Sequence, residues 1–417
     1  MNTEGSLKQT TGMSYWMKLI IVLCLGWTVM WIYRQSLPGV YTEMGLDLNV
    51  SNTQLGFIAT CYFFAYTAMQ IPAGILVDKF GQKIIMIPGF ILFMIAPVMI
   101  ATASSINMIY FASVLAGIGC GTYYGSAYSL SSQNIPADKR GLSTAIINSG
   151  SALGMAVALI GSSLLVKAMG MKWQVMMFIA AALILVMVLV FAAIIKGGNP
   201  NKASANNATN TTADESAEEE KGSIIKRLFS LKMISIYFLY FGTCYGYYMI
   251  VTWLPKFLQS ERGFEGVAIG FSASLVAIAS IPGALLFSRI SDKFRHKKVA
   301  LIIGLEIAAA IMLFAIVKFD NYTALLVALV LYGLLGKLAV EPIIISFLAD
   351  VAPKKGYGTT LGVFNCCGMA SSVVAPPLTG AIIDATNSQL YGFYVAVAFL
   401  IIGAVSFALF NLKTKVQ

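Results

Sequence analysis

Long apolar segments recur along the whole chain of 417 residues, separated by short polar connections. A transmembrane helix requires about 20 predominantly apolar residues, and twelve segments of that length can be traced. Their approximate bounds are 17–37, 53–76, 84–104, 107–133, 142–166, 173–196, 232–257, 267–290, 299–317, 322–348, 359–383 and 389–411. The pattern therefore predicts an all-α membrane protein with twelve transmembrane helices.

A polar segment at residues 197–222, rich in Asn and Thr and then in Glu, interrupts this pattern. It cannot bury a core, and its composition predicts a disordered linker. Behind it, apolar residues alternate with Lys226, Arg227 and Lys232, which suits a short interfacial helix. We therefore expect an N-terminal six-helix bundle over residues 1–196, a cytoplasmic linker over 197–231 and a C-terminal six-helix bundle over 232–417.

Composition and charge agree with a membrane protein. Of the residues, 58% are hydrophobic and only 11% are charged, whereas a soluble domain carries about a quarter charged residues. The net charge of +10 reflects topology rather than nucleic-acid binding, because basic residues concentrate in the even-numbered connections. By the positive-inside rule, both termini are expected in the cytoplasm, with the protein in a bacterial inner or plasma membrane.

Residue types that carry catalysis or bind metals form no recognisable motif. The six cysteines lie within predicted spans without metal-ligand spacing, and buried apolar thiols are the preferred interpretation. The single histidine, His296, lies in a basic connection. We therefore expect neither an enzyme nor a cofactor, and no nucleic-acid partner.

The two halves repeat each other. Residues 78–83 (DKFGQK) recur as residues 292–297 (DKFRHK), in the connection between the second and third span of each half. Residues 136–141 followed by Asn148 match residues 353–358 followed by Asn365 at one constant offset. Two landmarks in register indicate an internal duplication. Parallel six-span repeats are typical of rocker-type transporters, whose site lies at the midplane between the halves.

The repeated connection also contains Gly74-x3-Asp78-x2-Gly81-x-Lys83, which resembles the loop signature of the major facilitator superfamily. Carboxylates and basic groups at helix ends can pair with charges and helix dipoles on the other half. The resemblance implies a conformational latch, and its predicted members are Asp78, Lys79, Gly81, Lys83, Asp292 and Lys293.

Arg34 lies inside the first predicted span. A guanidinium stays charged at any ordinary pH, and placing one at membrane depth costs several kcal/mol on most scales. An anion partner is the default interpretation, and it is supplied either by another intramembrane residue or by a substrate. The planar fork of arginine suits bidentate recognition of a carboxylate.

Several stretches resemble the anion:cation symporter family, which includes sugar-acid transporters. They are residues 66–74 (YTAMQIPAG), 252–255 (TWLP), 261–263 (ERG), 352–354 (APK) and 362–365 (GVFN). The resemblance implies that Arg34 holds the carboxylate of the substrate. Tyr33, Cys120 and Ser129 stand where the family usually has an aspartate, a glutamate and an arginine, so the proton-coupling scheme of the family cannot be carried over.

Lys337 and Glu341 lie four residues apart within the tenth predicted span. Lys337 is the repeat equivalent of Cys120, which places the pair near the central cavity. In one interpretation the two charges neutralise each other and hold helix geometry. In the other, Lys337 joins Arg34 in binding an anion, and Glu341 exchanges the coupling proton. Two cations against one carboxylate leave a net positive cavity that favours an anion.

Polar residues of other spans are further candidates for contact with the substrate, although tyrosines in spans are also common packing residues. The candidates are Tyr66, Tyr124, Tyr248 and Asn365.

The function that these features favour is import of a small organic anion, a mono- or dicarboxylate or sugar acid, by symport with a proton or another cation. We expect a monomer in the lipid bilayer that works by alternating access. An organophosphate or organic anion exchanger is the nearest alternative. A cationic-drug exporter fits less well, since span four has no arginine and a positive cavity repels cations. A transporter-like sensor would differ only in carrying no flux.

Overall fold

The computed structural model describes residues 14–136, 139–196, 229–351 and 357–412. Of the predicted linker and interfacial helix, residues 197–228 lie outside the described part of the chain. The prediction of an all-α fold is confirmed: twelve candidate membrane spans are found in the described part of the chain.

Helices account for nearly all of the described residues. Those of the first half are α1 (Tyr15–Gly39), α2 (Tyr41–Leu48), α3 (Asn52–Phe80), α4 (Gln82–Ala101), α5 (Ile106–Asn134), α6 (Arg140–Ser162), continued by a π-helical segment (Ser163–Ala168), and α7 (Gln174–Ile194). Those of the second half are α8 (Leu231–Ser260), α9 (Val267–Lys293), a short 3₁₀ turn (Arg295–Lys297), α10 (Lys298–Lys318), α11 (Tyr322–Leu335), α12 (Lys337–Val351), α13 (Tyr357–Thr386) and α14 (Leu390–Asn411).

Two features differ from the predicted spans. The tenth span is broken at Gly336 into α11 and α12, so that Lys337 begins a half-helix within the membrane. The first connection contains the short helix α2, which the hydrophobic pattern did not predict. Both features are short and leave the spacing of apolar residues along the chain almost unchanged. The hydrophobic pattern therefore did not reveal them.

The packing of the two halves is pseudo-symmetric. In the first half, α1 packs on α6, α3 on α5 and α4 on α7. The equivalent spans of the second half pair in the same way: α8 packs on α13, α9 on α11 and α12, and α10 on α14. The predicted arrangement of two six-helix bundles is therefore confirmed.

Local sequence explains where α3 begins and ends. Ser51 accepts a hydrogen bond from the backbone of Gln54, whose side chain accepts one from the backbone of Ser51, so the helix starts with a capping box. At the other end, Gly81 has a φ of 90° and separates α3 from α4. Only glycine adopts this backbone without strain, which accounts for its place in the loop signature.

The halves meet mainly through α3 with α13 and through α6 with α9. We call the side where α1 begins and α14 ends the termini face, and the other side the opposite face. Near the opposite face, a Cβ atom added to Gly56 would collide with the backbone of Pro376, and one on Gly380 with that of Asn52. Near the termini face, a Cβ on Gly74 or Gly362 would meet nothing within 4 Å. The two helices therefore touch at the opposite face and diverge towards the termini face.

Polar contacts between the halves also lie at the opposite face. Asp384 of α13 accepts four hydrogen bonds from the first turn of α3, from the backbone and side chain of Asn52 (2.9 and 2.8 Å) and of Thr53 (2.8 and 2.6 Å). Lys167 donates to Glu43 at 2.8 Å and to Gln259 of the second half at 2.7 Å. The halves are thus held together by polar contacts at the opposite face, whereas α3 and α13 diverge towards the termini face.

Candidate functional site

Arg34 projects from α1 into a group of aromatic rings on α1 and α3. Its guanidinium carbon lies 4.5 to 6.0 Å from the centroids of five rings, which we call the aromatic cage: Trp27, Trp31, Tyr62, Phe63 and Tyr66. The Nε of Arg34 donates a hydrogen bond of 2.6 Å to the hydroxyl of Tyr62. Aromatic faces attract a cation without neutralising its charge, so the cage holds Arg34 in place and leaves it positive.

No carboxylate accompanies Arg34 among the described residues. It forms none of the salt bridges found there, and its buried Nη2 has no hydrogen-bond partner. The alternative that Arg34 belongs to a structural ion pair therefore has no partner in the described part of the chain. A buried donor without an acceptor is costly, and an anionic ligand at this point would supply the acceptor.

The two residues next to Arg34 in the sequence, Tyr33 and Gln35, make contacts with other helices. Gln35 donates a 2.5 Å hydrogen bond to the carbonyl of Val251 and so ties α1 to α8. Tyr33 packs edge-on against Phe93, with ring centroids 5.0 Å apart. A small cavity of about 40 Å³ lies between α1, α3 and α8 beside Arg34. That volume holds a few water molecules but no organic anion.

Lys337 and Glu341 form an ion pair with Nζ and Oε2 2.7 Å apart. Glu341 also accepts a hydrogen bond from the hydroxyl of Tyr240. The side chain of Lys337 is 11% exposed and that of Glu341 is 23% exposed. The two charges neutralise each other in this conformation, and both side chains keep some exposure.

A series of aromatic contacts connects the two cations across the halves. Phe63 of the cage packs on Tyr248 with ring centroids 5.1 Å apart, and Tyr248 lies against Tyr247 at 5.5 Å. The Nζ of Lys337 lies 5.3 Å from the centroid of Tyr247. Arg34 and Lys337 therefore border the same central region, one from each half.

The other predicted contact residues surround this region. Tyr66 is stacked on Tyr62 in the cage, and Tyr248 is buried with its hydroxyl 3.5 Å from the sulfur of Met369. Tyr124 is 44% exposed and contacts Trp27 edge-on. Asn365 is exposed beside Phe364, whose ring stacks on Tyr240. Their contact with a substrate remains a prediction.

The predicted latch residues do not pair between the halves in the described structure. Lys83 donates to the carbonyl of Ala192 within its own half at 2.7 Å. The described side chains of Asp78, Lys79 and Lys293 take part in none of the salt bridges found, and the side chain of Asp292 lies outside the described residues. These groups lie at the termini face, where the halves are apart, so the latch stays a prediction about the other conformation.

Two polar features were missed from the sequence. Glu306, in the middle of α10, is 1% exposed and contacts Thr243 of α8. The reasoning applied to Arg34 would have found it, since it is a lone charge within an apolar span. Asp384 was also missed, because nothing near it in the sequence indicates that its partners lie more than 300 residues away.

Metal ligands are not gathered anywhere in the described part of the chain. No group of three or more His, Cys, Asp or Glu side chains in it could hold a metal ion.

Comparisons with known proteins agree on one family. Residues 19–376 match the family model described as Major Facilitator Superfamily. The chain is 26% identical over 409 residues to a probable sulfoacetate transporter of Cupriavidus necator, covering 94% of this chain and 92% of the relative. It is 24% identical to a probable galactarate/D-glucarate transporter of Escherichia coli strain K12, with 92% and 90% covered. It is 25% identical to a putative tartrate transporter of Agrobacterium vitis, with 93% and 92% covered.

Solved structures share the fold at lower sequence identity. A D-xylose-proton symporter superimposes with a TM-score of 0.77 at 14% identity, covering 97% of this chain and 99% of that one. A bacterial homologue of the human lysosomal transporter Spinster, solved in an inward-facing and unoccupied conformation, gives 0.76 at 15% identity with 97% and 99% covered.

Proposed function

The chain belongs to the major facilitator superfamily, a family of transporters rather than enzymes, and we propose that it imports a small organic anion by cation- or proton-coupled symport. The substrate class is a mono- or dicarboxylate or a sugar acid. Relatives of 24 to 26% identity bear names that refer to sulfoacetate, galactarate or D-glucarate, and tartrate. All of these are small molecules with one or more acidic groups.

The observation that carries the proposal is the unpaired charge of Arg34. Its Nη2 is buried without a partner, and the aromatic cage surrounds the guanidinium without neutralising its charge. A carboxylate or sulfonate oxygen is the acceptor that this geometry favours, because charge-assisted hydrogen bonds to a guanidinium are about twice as strong as neutral ones. An organic cation would be repelled at the same place.

Lys337 and Glu341 supply a way to couple the anion to a proton. An anion that contacts Lys337 competes with Glu341 for the same ammonium group. A carboxylate that loses its cation in an apolar environment is costly to keep ionised. Proton binding by Glu341 removes that cost, so anion binding and proton binding support each other. The hydroxyl of Tyr240 can donate a hydrogen bond to Glu341 when Glu341 is ionised and accept one from it when it is protonated.

The proposed orientation in the membrane rests on the basic connections, which favour a cytoplasmic termini face. The halves are joined at the opposite face, and α3 and α13 diverge towards the termini face, as expected of an inward-facing state. We propose a monomer in a bacterial inner or plasma membrane, with bundles bounded at residues 1–196 and 232–417 and a cytoplasmic linker between them. Alternating access then requires that the contacts of the opposite face open.

The test is a thermal-shift screen of the purified protein followed by flux measurements. The screen contains mono- and dicarboxylates, sugar acids, organic sulfonates, organophosphates, amino acids and organic cations. Anions that raise the Tm are then offered as labelled compounds to proteoliposomes with and without an inward proton gradient. Accumulation that requires the gradient supports symport. Exchange without accumulation favours an antiporter, stabilisation by organic cations alone contradicts an anion site, and binding without flux indicates a sensor.

A further inference from the structure

Glu306 lies at the centre of α10, apart from the predicted substrate contacts. Its side chain is buried, and its neighbours Leu305, Ala309 and Leu313 on the same helix are buried apolar residues. It forms none of the salt bridges found in the described part of the chain, and its Oε2 is buried there without a hydrogen-bond partner. An ionised carboxylate in such a place costs several kcal/mol, and a bound proton removes that cost.

The contact with Thr243 suits both forms of the carboxyl group. The Oγ1 of Thr243 contacts Oε1 of Glu306 and also lies 2.9 Å from the carbonyl oxygen of Leu239. A hydroxyl has one hydrogen to donate and can accept others. When Glu306 is protonated, it can donate to Thr243 while Thr243 donates to Leu239. When Glu306 is ionised, Thr243 can turn and donate to it.

Titratable groups near Glu306 connect it with the Lys337–Glu341 pair. Cys244 of α8 and Tyr332 of α11 both interact electrostatically with Glu306, and Cys244 also interacts with Lys337 and Glu341 of α12. The remaining charged or titratable groups of the elements around α10 lie towards its two ends. On α10, the 3₁₀ turn before it, α11, α12 and α14, those with described side chains are His296, Lys297, Lys298 and Asp350 at its start, and Lys318, Tyr322, Tyr391 and Tyr394 at its end.

The net charge in the middle of the membrane connects Glu306 with anion binding. Between the two faces, the charged side chains of the described residues are Arg34, Lys337, Glu341 and Glu306. With both carboxyl groups ionised their charges sum to zero, and a bound monoanion would leave one negative charge in an apolar environment. One proton restores neutrality, and a dianion requires two.

We propose that Glu306 is a proton-binding site of the second half and gains one proton when an anion binds at Arg34 and Lys337. The proton adds to a carboxylate oxygen of Glu306, and no other bond forms or breaks. The coupling part of this proposal rests on the proposed transport function, whereas proton binding by Glu306 does not. Glu341 then serves as the second site when the substrate carries two charges.

The direct test is infrared spectroscopy of the full chain in lipid nanodiscs during a pH titration, without any substrate. The wild-type protein is expected to show the C=O band of a protonated buried carboxyl group, and this band should disappear as the pH rises. Glu306→Gln should remove the band. The matched control is Glu265→Gln, the same change at an exposed glutamate of the opposite face, which should retain it.

A second variant covers the case in which Glu306→Gln does not fold. Thr243→Val keeps the carboxyl group but removes its hydroxyl partner, so the band should move to the frequency of a carboxyl group without that hydrogen bond. A band that persists in Glu306→Gln, or that is unaffected by Thr243→Val, overturns the assignment. A band that persists at every pH at which the protein is folded identifies a permanently protonated structural group and also overturns it.

Transport measurements separate this inference from the proposed function. In proteoliposomes, Glu306→Gln should lose proton-driven accumulation of a monoanion that the thermal-shift screen identifies, while exchange of the same anion continues. Proton-driven accumulation at the wild-type level contradicts the coupling role. If no anion is carried by any variant, the proposed function fails, while the infrared result on Glu306 stands by itself.

Discussion

Arg34 and Tyr62 are joined by a hydrogen bond of 2.6 Å between Nε and the phenolic oxygen. The ring of Tyr66, with its centroid 4.5 Å from the guanidinium carbon, restricts the same group from another side. The buried Nη2 is left as a donor without an acceptor. Under the proposed function, an anion would meet an arginine that is already held in place, which reduces the entropy lost on binding.

Replacement of Arg34 by lysine keeps the charge but removes the planar fork and the bond to Tyr62. We expect the affinity for the transported anion to fall by at least about 30-fold, because loss of a buried charge-assisted contact costs about 2–5 kcal/mol. Arg34→Ala should abolish uptake. Binding is measured by thermal shift and uptake in proteoliposomes. Arg289→Lys, at an exposed arginine of α9, is the matched control, and wild-type flux in Arg34→Ala would rule out the proposed site.

Replacement of Glu341 by glutamine removes the carboxylate that pairs with Lys337 at 2.7 Å. We expect accumulation of a dianion driven by a proton gradient to fall well below the wild-type level, because Glu306 remains as the first proton site, while exchange across the membrane continues. The reason is that glutamine cannot bind and release a proton, whereas Lys337 remains free to contact the anion. Accumulation and counterflow are measured in the same vesicles, and unchanged pH-dependent accumulation would remove Glu341 from the coupling scheme.

Replacement of Asp384 by alanine removes four hydrogen bonds between α13 and the start of α3. Asp384 is exposed, so we expect a cost of only about 1 kcal/mol, which is about a five-fold loss of the state closed at the opposite face. Distances between spin labels across that face report the population. Asp320→Ala is the control, because its partner Arg262 lies in the same half. Equal shifts in both variants would contradict the role of Asp384.

Two glycines of α3 offer a comparison on one helix, about 27 Å apart at about 1.5 Å per residue. A Cβ atom on Gly56 would collide with the backbone of Pro376, whereas one on Gly74 would meet nothing within 4 Å. We therefore expect Gly56→Ala to force the opposite face open and Gly74→Ala to leave the state closed there intact. The same spin-label distances distinguish the two outcomes, and an unchanged distribution in Gly56→Ala would show that α3 and α13 can separate locally.

Much of the fold could be predicted from the sequence because membranes impose simple rules. Twelve apolar segments must form helices, since their backbone groups have no water to bond, and the repeated DKF motif indicated two equivalent halves. The break at Gly336 was not predicted. Apolar residues lie on both sides of it, so the hydrophobic pattern continues through the break.

The sequence alone placed Arg34 inside the first predicted span and made an anion partner the default interpretation, because its charge cannot be removed there. Only the tertiary structure decided that no carboxylate of the described residues meets it and that Tyr62, Phe63 and Tyr66 of α3 surround it. It also brought Asp384 to the start of α3 and Glu306 to Thr243. The physical reason is that these contacts join residues far apart in the chain, and helical periodicity defines the buried side of each helix but not which helix covers it.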